Sequence, residues 1–571
     1  MKLLQLFNEL SLHPKNAAEL KGLILQLAVQ GKLTAKWREE NPDVEPASEL
    51  IKRIEVEKER LVREKIIKKE KPLPTISAKE NIEEIPGKWR KVRLGEIGDW
   101  GAGATPLRSN GLFYDGNNNW FKSGELNNGI IDYDSEEKIT ELALKKSSLR
   151  LNKPGDVLIA MYGATIGKTG ILEVSGTTNQ AVCACTPFSC ISSEYLHLLL
   201  RALRKNFLSQ GEGGAQPNIS RIKIRNQIVS LPPLLEQQAI ITTVNQLFAE
   251  VEQLEQLTKE RIQLKHDFAA SALQRLVQAG NINGEWAAVH QHFHTFFNEK
   301  FNVKKLRETI LQLAVQGKLT THWRQENPNT EPATELLKRI TAEKQQLIQS
   351  GKIKKEKPLS PVKDDEIPFE LPEGWVWCRL GEISKKLGAG STPTGGKASY
   401  VDDGIKFFRS QNIYNDGIRI NDIARITQKV HQRMIGTHIK PKDILLNITG
   451  GSIGRCALVP DEFDSGNVSQ HVSIVRLVEL ELRQYIHKFF ISPGFQERIM
   501  DVQVGVSREG LSMTKLKMFP TPLPPLQEQH AIVTTVNTLM GLCDALEQEL
   551  GQQESRVEEL MRSCVREVVE G

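Results

Sequence analysis

The sequence predicts a mixed α/β (α+β) protein built twice over, with a pseudo-two-fold internal repeat. Three observations carry this. First, ILQLAVQGKLT at Ile24–Thr34 recurs unchanged at Ile310–Thr320, WREENPDVEPASELIKRIEVEK (Trp37–Lys58) is answered by WRQENPNTEPATELLKRITAEK (Trp323–Lys344), and IKKEKPL recurs at Ile67–Leu73 and Ile353–Leu359. The period is far too long for a solenoid and fits two domain-sized halves. Second, the stretches from Trp89 and from Trp375 are rich in Gly and Asn with short β-like runs between them, the texture of an α/β domain with tight turns. Third, the chain from Leu234 to Gln278 contains neither Gly nor Pro, which predicts a helix of roughly 68 Å at 1.5 Å per residue.

In chain order, Ala18–Val29 predicts a short helix with Leu20, Leu23, Ile24, Leu27 and Ala28 at helical spacing and Gly31 as its stop. Pro46 suits the first position of the next helix, which carries a thin stripe of Leu50, Ile54 and Leu61. Such a helix needs a partner along that stripe. From Trp89 the runs VRLGEI, NNWFKS, DVLIAMYG, GILEV and AVCACTPF read as strands, with helix returning at Ser192–Phe207. In the long helix Val244, Leu247, Val251 and Leu254 keep a coiled-coil seam, with a register slip to Leu257, Leu264 and Phe268. Gly280–Glu299 reads as a linker before the second copy. The closing helix carries Val536, Leu539, Cys543, Leu546, Leu550, Val557, Leu560 and Cys564 on one seam. The expected domains are therefore residues 1–86 (helical, first repeat), 87–231 (α/β), 232–300 (long helix and linker), 301–371 (helical, second repeat), 372–523 (α/β) and 524–571 (long helix).

Composition narrows the class. A chain of 571 residues exceeds one core, and net charge +5 permits an anionic partner without requiring one. Seven cysteines without a C-x-x-C pair argue for buried reduced thiols rather than a zinc site or a disulfide framework. No apolar run is long enough for a membrane span and Asn8 and Glu9 interrupt any signal-like start, so a cytoplasmic location without membrane contact is expected.

The two α/β stretches share a frame and differ in content. KWRKVRLGEIGDWGAGATP (Lys88–Pro106) matches VWCRLGEISKKLGAGSTP (Val376–Pro393), and GDVLIAMYGATIGKTGIL (Gly155–Leu172) matches KDILLNITGGSIGRCALV (Lys442–Val459). Within that frame, WFKSGELNNG (Trp120–Gly129) faces FFRSQNIYNDG (Phe407–Gly417). With LPPLxEQxAI opening both long helices, this order resembles the specificity subunit of type I restriction-modification enzymes over essentially the whole chain. The resemblance implies two target recognition domains joined by long antiparallel coiled-coil helices, each domain reading one half of a split, asymmetric site on double-stranded DNA. It implies two modification (methyltransferase) subunits docked on the repeats, with restriction (motor-nuclease) subunits as a further addition. It also implies that the chain is not itself an enzyme and holds no cofactor, S-adenosylmethionine, ATP and Mg belonging to the partners. A specificity subunit for a fused methyltransferase-nuclease, and a coiled-coil protein-interaction scaffold, are the rival readings.

Catalytic signatures fail on inspection. Gly163–Thr169 imitates a P-loop but has three residues between its glycines where four are needed, and the matching Gly450–Cys456 lacks both lysine and hydroxyl. Leu231-Pro232-Pro233-Leu234 lacks the amide of an amino-methyltransferase motif. Glu136-Glu137-Lys138 reads as a surface triplet rather than part of a nuclease site. His290, His292 and His294 fall in the linker with no cysteine beside them. Base reading needs side chains that bond base edges in pairs. The candidates are Arg108, Asn110, Lys122, Ser123, Tyr162, Lys168, Gln216, Asn218 and Arg221 in the first module. In the second they are Lys397, Arg409, Gln411, Asn412, Arg455, Arg508 and Lys515.

Overall fold

A computed structural model describes residues 16–77, 80, 84–211, 217–501 and 510–570. The chain divides into two units, Met1–Arg261 with Arg556–Gly571, and Ile262–Ser555. In the first, helix Asn16–Val29 ends at Gly31, whose φ of 69° needs no Cβ; a Cβ there would also stand 2.9 Å from Pro86. Helix Ala47–Arg63 starts one residue later than expected because Pro46 remains extended, and it buries Leu50 and Ile54. The long helix Leu234–Gln278 has 45 residues. Its Val251 packs against Ala17 and Leu20, and Glu252 accepts from Lys21 Nζ at 2.8 Å.

Between these helices stands the α/β module. Its entering strand Arg90–Arg93 pairs antiparallel with its leaving strand Ile228–Leu231, Arg90 opposite Leu231. The module therefore begins and ends at one place, as an insertion between helices. Above this ribbon, one sheet runs Gly98–Ala102, Val182–Pro187, Val157–Ala160, Thr169–Leu172, Gly129–Ile131, and a second runs Lys138–Ile139, Tyr114–Phe121, Gly176–Thr178. Cys183 and Cys185 lie fully buried on the second strand of the larger sheet, where desolvation pushes the Cys183 thiol up to about 12. They are core residues.

The second unit repeats the plan: the ribbon Val376–Arg379 with Pro520–Leu523, a sheet Ser384–Ala389, Val472–Leu477, Ile444–Asn447, Cys456–Leu458, and a sheet Ala424–Ile426, Tyr400–Phe408, Gly466–Val468. The closing helix Leu526–Glu570 buries Val536, Cys543 and Leu550 on the expected seam. Arg307 of helix Lys300–Val315 reaches its Asp544 at 2.7 Å and Glu547 at 3.0 Å. The side chains of Leu560 and Cys564 lie outside the described residues.

Two expectations are corrected. Leu257, Leu264 and Phe268 are largely exposed, and the later turns of the first long helix instead bury Ala269, Ala272, Leu273 and Leu276. Ala269, Ala272 and Leu273 share one core with Val303, Leu306 and Ile310 of helix Lys300–Val315, so this face of the long helix turns inward and that of Leu264 and Phe268 turns out. The stretch from Gly280 is not a bare linker but holds helices Ile282–Gln291 and Phe293–Phe296, anchored by Val289, Phe296 and Phe297 in the core. His290, His292 and His294 are exposed there, and no metal-competent cluster occurs among the described residues.

A buried carboxylate joins the parts of each half. Glu236, in the first turn of the long helix, has no exposed surface. It accepts from Thr34 Oγ1 at 2.8 Å, Arg38 Nη1 at 2.6 Å and Trp89 Nε1 at 2.8 Å. Glu528 receives the same three bonds from Thr320 at 2.7 Å, Arg324 at 2.5 Å and Trp375 at 2.8 Å. The next residue completes the joint: Gln237 donates to Pro232 O and Gln529 to Pro524 O, tying the first turn of the helix back to the proline turn that LPPLxEQ encodes. Replacing Glu236 with Ala strands a guanidinium, a hydroxyl and an indole together, and should lower unfolding free energy by about 2–4 kcal/mol, read as a shifted urea midpoint.

A second staple ties each connecting segment to its module. Arg379, 1% exposed, donates to Ser360 O, Pro361 O and Met518 O and makes a bidentate pair with Glu366 at 2.7 and 2.6 Å. Arg93 does likewise to Pro74 O, Asn226 O and Glu80. Hydrogen bonds from Arg379 pull the Glu366 carboxyl down to about 2 from 4.5. A carboxyl depressed on folding stabilises the fold above its unfolded value and ceases to do so as pH falls through its folded one. Glu366→Gln should therefore unfold earlier than the parent above about pH 4.5, with the gap closing between 4.5 and 2 in denaturant midpoints.

Candidate nucleic-acid interface

The glycine-rich stretches form hairpin tips. Val157–Ala160 and Thr169–Leu172 are antiparallel neighbours, as are Ile444–Asn447 and Cys456–Leu458, so no helix follows to form a phosphate cradle and the P-loop is excluded on topology. Gly163 and Gly167 adopt φ of 60° and 74°, Gly450 and Gly454 77° and 82°. A Cβ on Gly167 would stand 2.7 Å from Arg204 Cγ. Lys168 and Arg455 stand at equivalent places on the two tips. The Lys168 ammonium is unpaired among the described residues, and the exposed Arg455 guanidinium lies 4.9 Å over the Tyr414 ring.

A second pair of turns lies beside these tips. Lys122 opens the turn Ser123–Glu125 and Arg409 the turn Ser410–Asn412. In each the third residue accepts the opening backbone N–H: Glu125 Oε2 from Lys122 at 2.7 Å, Asn412 Oδ1 from Arg409 at 3.0 Å. An asparagine links turn to tip in both modules. Asn128 Oδ1 accepts from Thr169 N at 3.0 Å and Asn415 Oδ1 from Cys456 N at 3.0 Å, each acceptor bonding the residue directly after the tip cation. In the second module Asn447 Nδ2 also donates to Ser410 O at 2.9 Å and Ser452 Oγ at 3.0 Å. The fold thus gathers Lys122, Ser123 and Lys168 in one module, and Arg409, Gln411 and Arg455 in the other.

The remaining candidates separate by what they bond. Tyr162 is exposed at the start of its tip and pairs through its backbone with Asn218, also exposed. Lys397, Gln411 and Lys515 are exposed. Asn110 Oδ1 accepts from Leu112 N at 3.2 Å and closes a turn. Arg221 donates to Trp100 O at 2.8 Å and pairs with Glu70 at 3.5 Å, so its guanidinium holds the connecting segment to the module base. Asn412 is 2% exposed, its Nδ2 donating to Arg419 O at 3.2 Å. Gln216 and Arg508 lie outside the described residues.

Sequence reasoning missed Glu137. It accepts from Arg108 Nη1 at 2.7 Å and pairs with Lys122 Nζ as well. The Lys122 ammonium first, then the Arg108 guanidinium, hold its carboxyl below the usual carboxylate range. Arg108 also lies 4.7 Å over the Tyr114 ring and 5.0 Å over Trp120. No local signal marks it, because the acid lies 15 residues from Lys122 and 29 from Arg108. Because both polar atoms of Asn412 are spent on backbone groups, Asn412→Ala should lower stability by about 1–3 kcal/mol and weaken binding to all duplexes alike. Loss of preference at one base position, scored on a panel of duplexes, would make it a reader.

A family described as type I restriction modification DNA specificity domain matches residues 86–264 and 372–553, one match on each module and the long helix that follows it. The chain is 32% identical over 575 residues to the type I restriction enzyme EcoAI specificity subunit of Escherichia coli, covering 92% of this chain and 90% of that one. It is 30% identical to the EcoEI specificity subunit of the same species, covering 93% and 90%. Among solved structures, the HsdS subunit from Thermoanaerobacter tengcongensis aligns over 86% of this chain and 99% of its own, at 17% identity and a TM-score of 0.37. Two matched domains and relatives similar over nearly their whole length agree: this chain belongs to the type I restriction-modification specificity subunits and carries two target recognition domains.

Proposed function

We propose that this chain is the DNA-reading subunit of a type I restriction-modification complex in the cytoplasm, each target recognition domain reading one half of a bipartite, asymmetric site. One observation carries the reading: equivalent positions on matching frames hold different side chains, Lys122-Ser123-Gly124 against Arg409-Ser410-Gln411 and Lys168 against Arg455. Two readers built on one plan suit two unlike half-sites. Backbone contacts to phosphate supply register and affinity, while base-edge contacts supply sequence. The long helices set the number of unread base pairs between half-sites. The repeats offer one docking face twice, to two modification subunits, with restriction subunits added to that assembly. Chemistry belongs to those partners, which take S-adenosylmethionine, ATP and Mg.

The test is to map methylated positions in host DNA with and without this gene. A split motif that vanishes with the gene is expected; an uninterrupted motif, or no change, overturns the proposal. Within the second module, Arg409→Ala should cost about 1–3 kcal/mol of binding and relax one position of one half-site, measured by competition among single-base variants.

A further inference from the structure

We infer that Glu137 is a specificity-determining residue of the first module, holding Arg108 and Lys122 in an internal ion pair that a half-site must replace in kind; the inference rests on the DNA-reading role proposed above. The cluster stands at the surface, with side-chain exposures of 54% for Arg108, 29% for Lys122 and 36% for Glu137. One carboxylate therefore neutralises one of two cations where a nucleic acid could reach all three. The nearby Glu125 does not share this task, since its oxygens accept the backbone N–H groups of Lys122 and Glu136.

A phosphate alone is a poor replacement for Glu137. It attracts the two cations but repels the carboxylate, which then loses its partners as well. A base-pair edge can satisfy the whole cluster. In the major groove guanine presents O6 and N7 as acceptors and cytosine presents its N4 amine as a donor, so a G·C pair offers acceptors to Arg108 or Lys122 and a proton donor to Glu137 together. The ligand inferred for this cluster is a G·C pair in the major groove.

The second module supplies the contrast. Lys406 and Phe407 lie opposite Arg425 and Ala424, as Asn119 lies opposite Lys138 in the first module. Ala424 thus occupies the place of Glu137. Arg409, the counterpart of Lys122, has no carboxylate to meet there, and its Nε is buried without a partner. The acid is a feature of one reader, not of the shared frame.

The test measures the affinity of the full-length chain for a random-sequence duplex across a salt series. Glu137→Gln should bind that duplex more tightly, roughly tenfold at 50 mM salt and about threefold at 200 mM, with the salt slope steeper by about one unit. Its preference for duplexes carrying the mapped site should narrow. Ala424→Glu, which adds an acid to the other module, should do the opposite. Unchanged or weaker random-duplex binding by Glu137→Gln, with Ala424→Glu also without effect, overturns the inference and leaves the pair a surface ion pair. Failure of the parent chain itself to bind duplex DNA is a different result: it removes the DNA-reading role, and this inference with it.

Discussion

A carboxylate with no exposed surface has to find its hydrogen bonds inside the protein, and Glu236 and Glu528 find theirs on distant segments of chain. A threonine and an arginine come from the repeat, an indole N–H from the residue just before the strand that enters the module, and the glutamate itself from the start of the long helix. The first turn of a helix is also where negative charge is best tolerated. This one side chain therefore ties a repeat to the point where a module is inserted and where a long helix sets out. The paired ribbon beneath each module and the arginine staples at Arg93 and Arg379 brace the same junction from its other sides.

With the junction fixed and the turns closed by their own asparagines and glutamate, the cation-bearing side chains of each module are released from holding the backbone in shape. The turns at Lys122 and Arg409 close on backbone groups, and the hairpin tips turn on glycines in the left-handed region. Neither device depends on what the cation-bearing side chain is. Lysine can become arginine, and Glu137 can become Ala424, without altering a hydrogen bond of the frame. Conformation and chemistry are carried by different atoms there.

Much of this was legible because it is local. The extent of the first long helix follows from the absence of Gly and Pro between Leu234 and Gln278, and Gly31 stops its helix where the repeat says it should. The equivalence of Lys168 with Arg455 follows from matching glycines. What escaped depends on side chains meeting across long separations. The seam at Leu257 and Leu264 obeyed spacing, yet the helix turned Ala269, Ala272 and Leu273 inward because that is the face that meets helix Lys300–Val315. Asn412 and Gln411 look equally suited to reading adenine, and only the turn geometry consumes one and exposes the other. Glu137 passed for a solvated charge because nothing nearby in sequence shows that Lys122 and Arg108 converge on it. The buried glutamates stand in the repeated word LPPLxEQ, but no spacing rule leads from Glu236 back to Thr34.

The near-identity of the two clasps raises a problem of self-recognition during synthesis. Thr320 and Arg324 would satisfy Glu236 as well as Thr34 and Arg38 do, so two clasps cut from one pattern invite exchange, within a chain or between chains, as repeated domains commonly do. Order of emergence offers a remedy. The last element of the first clasp, Glu236, is made 84 residues before Thr320, a head start of roughly 4–17 s at ribosomal speeds of about 5–20 residues per second. By the time the second copy leaves the ribosome, the first glutamate has had that interval to find its own partners. The chain tells its two identical locks apart by time, since it cannot do so by shape.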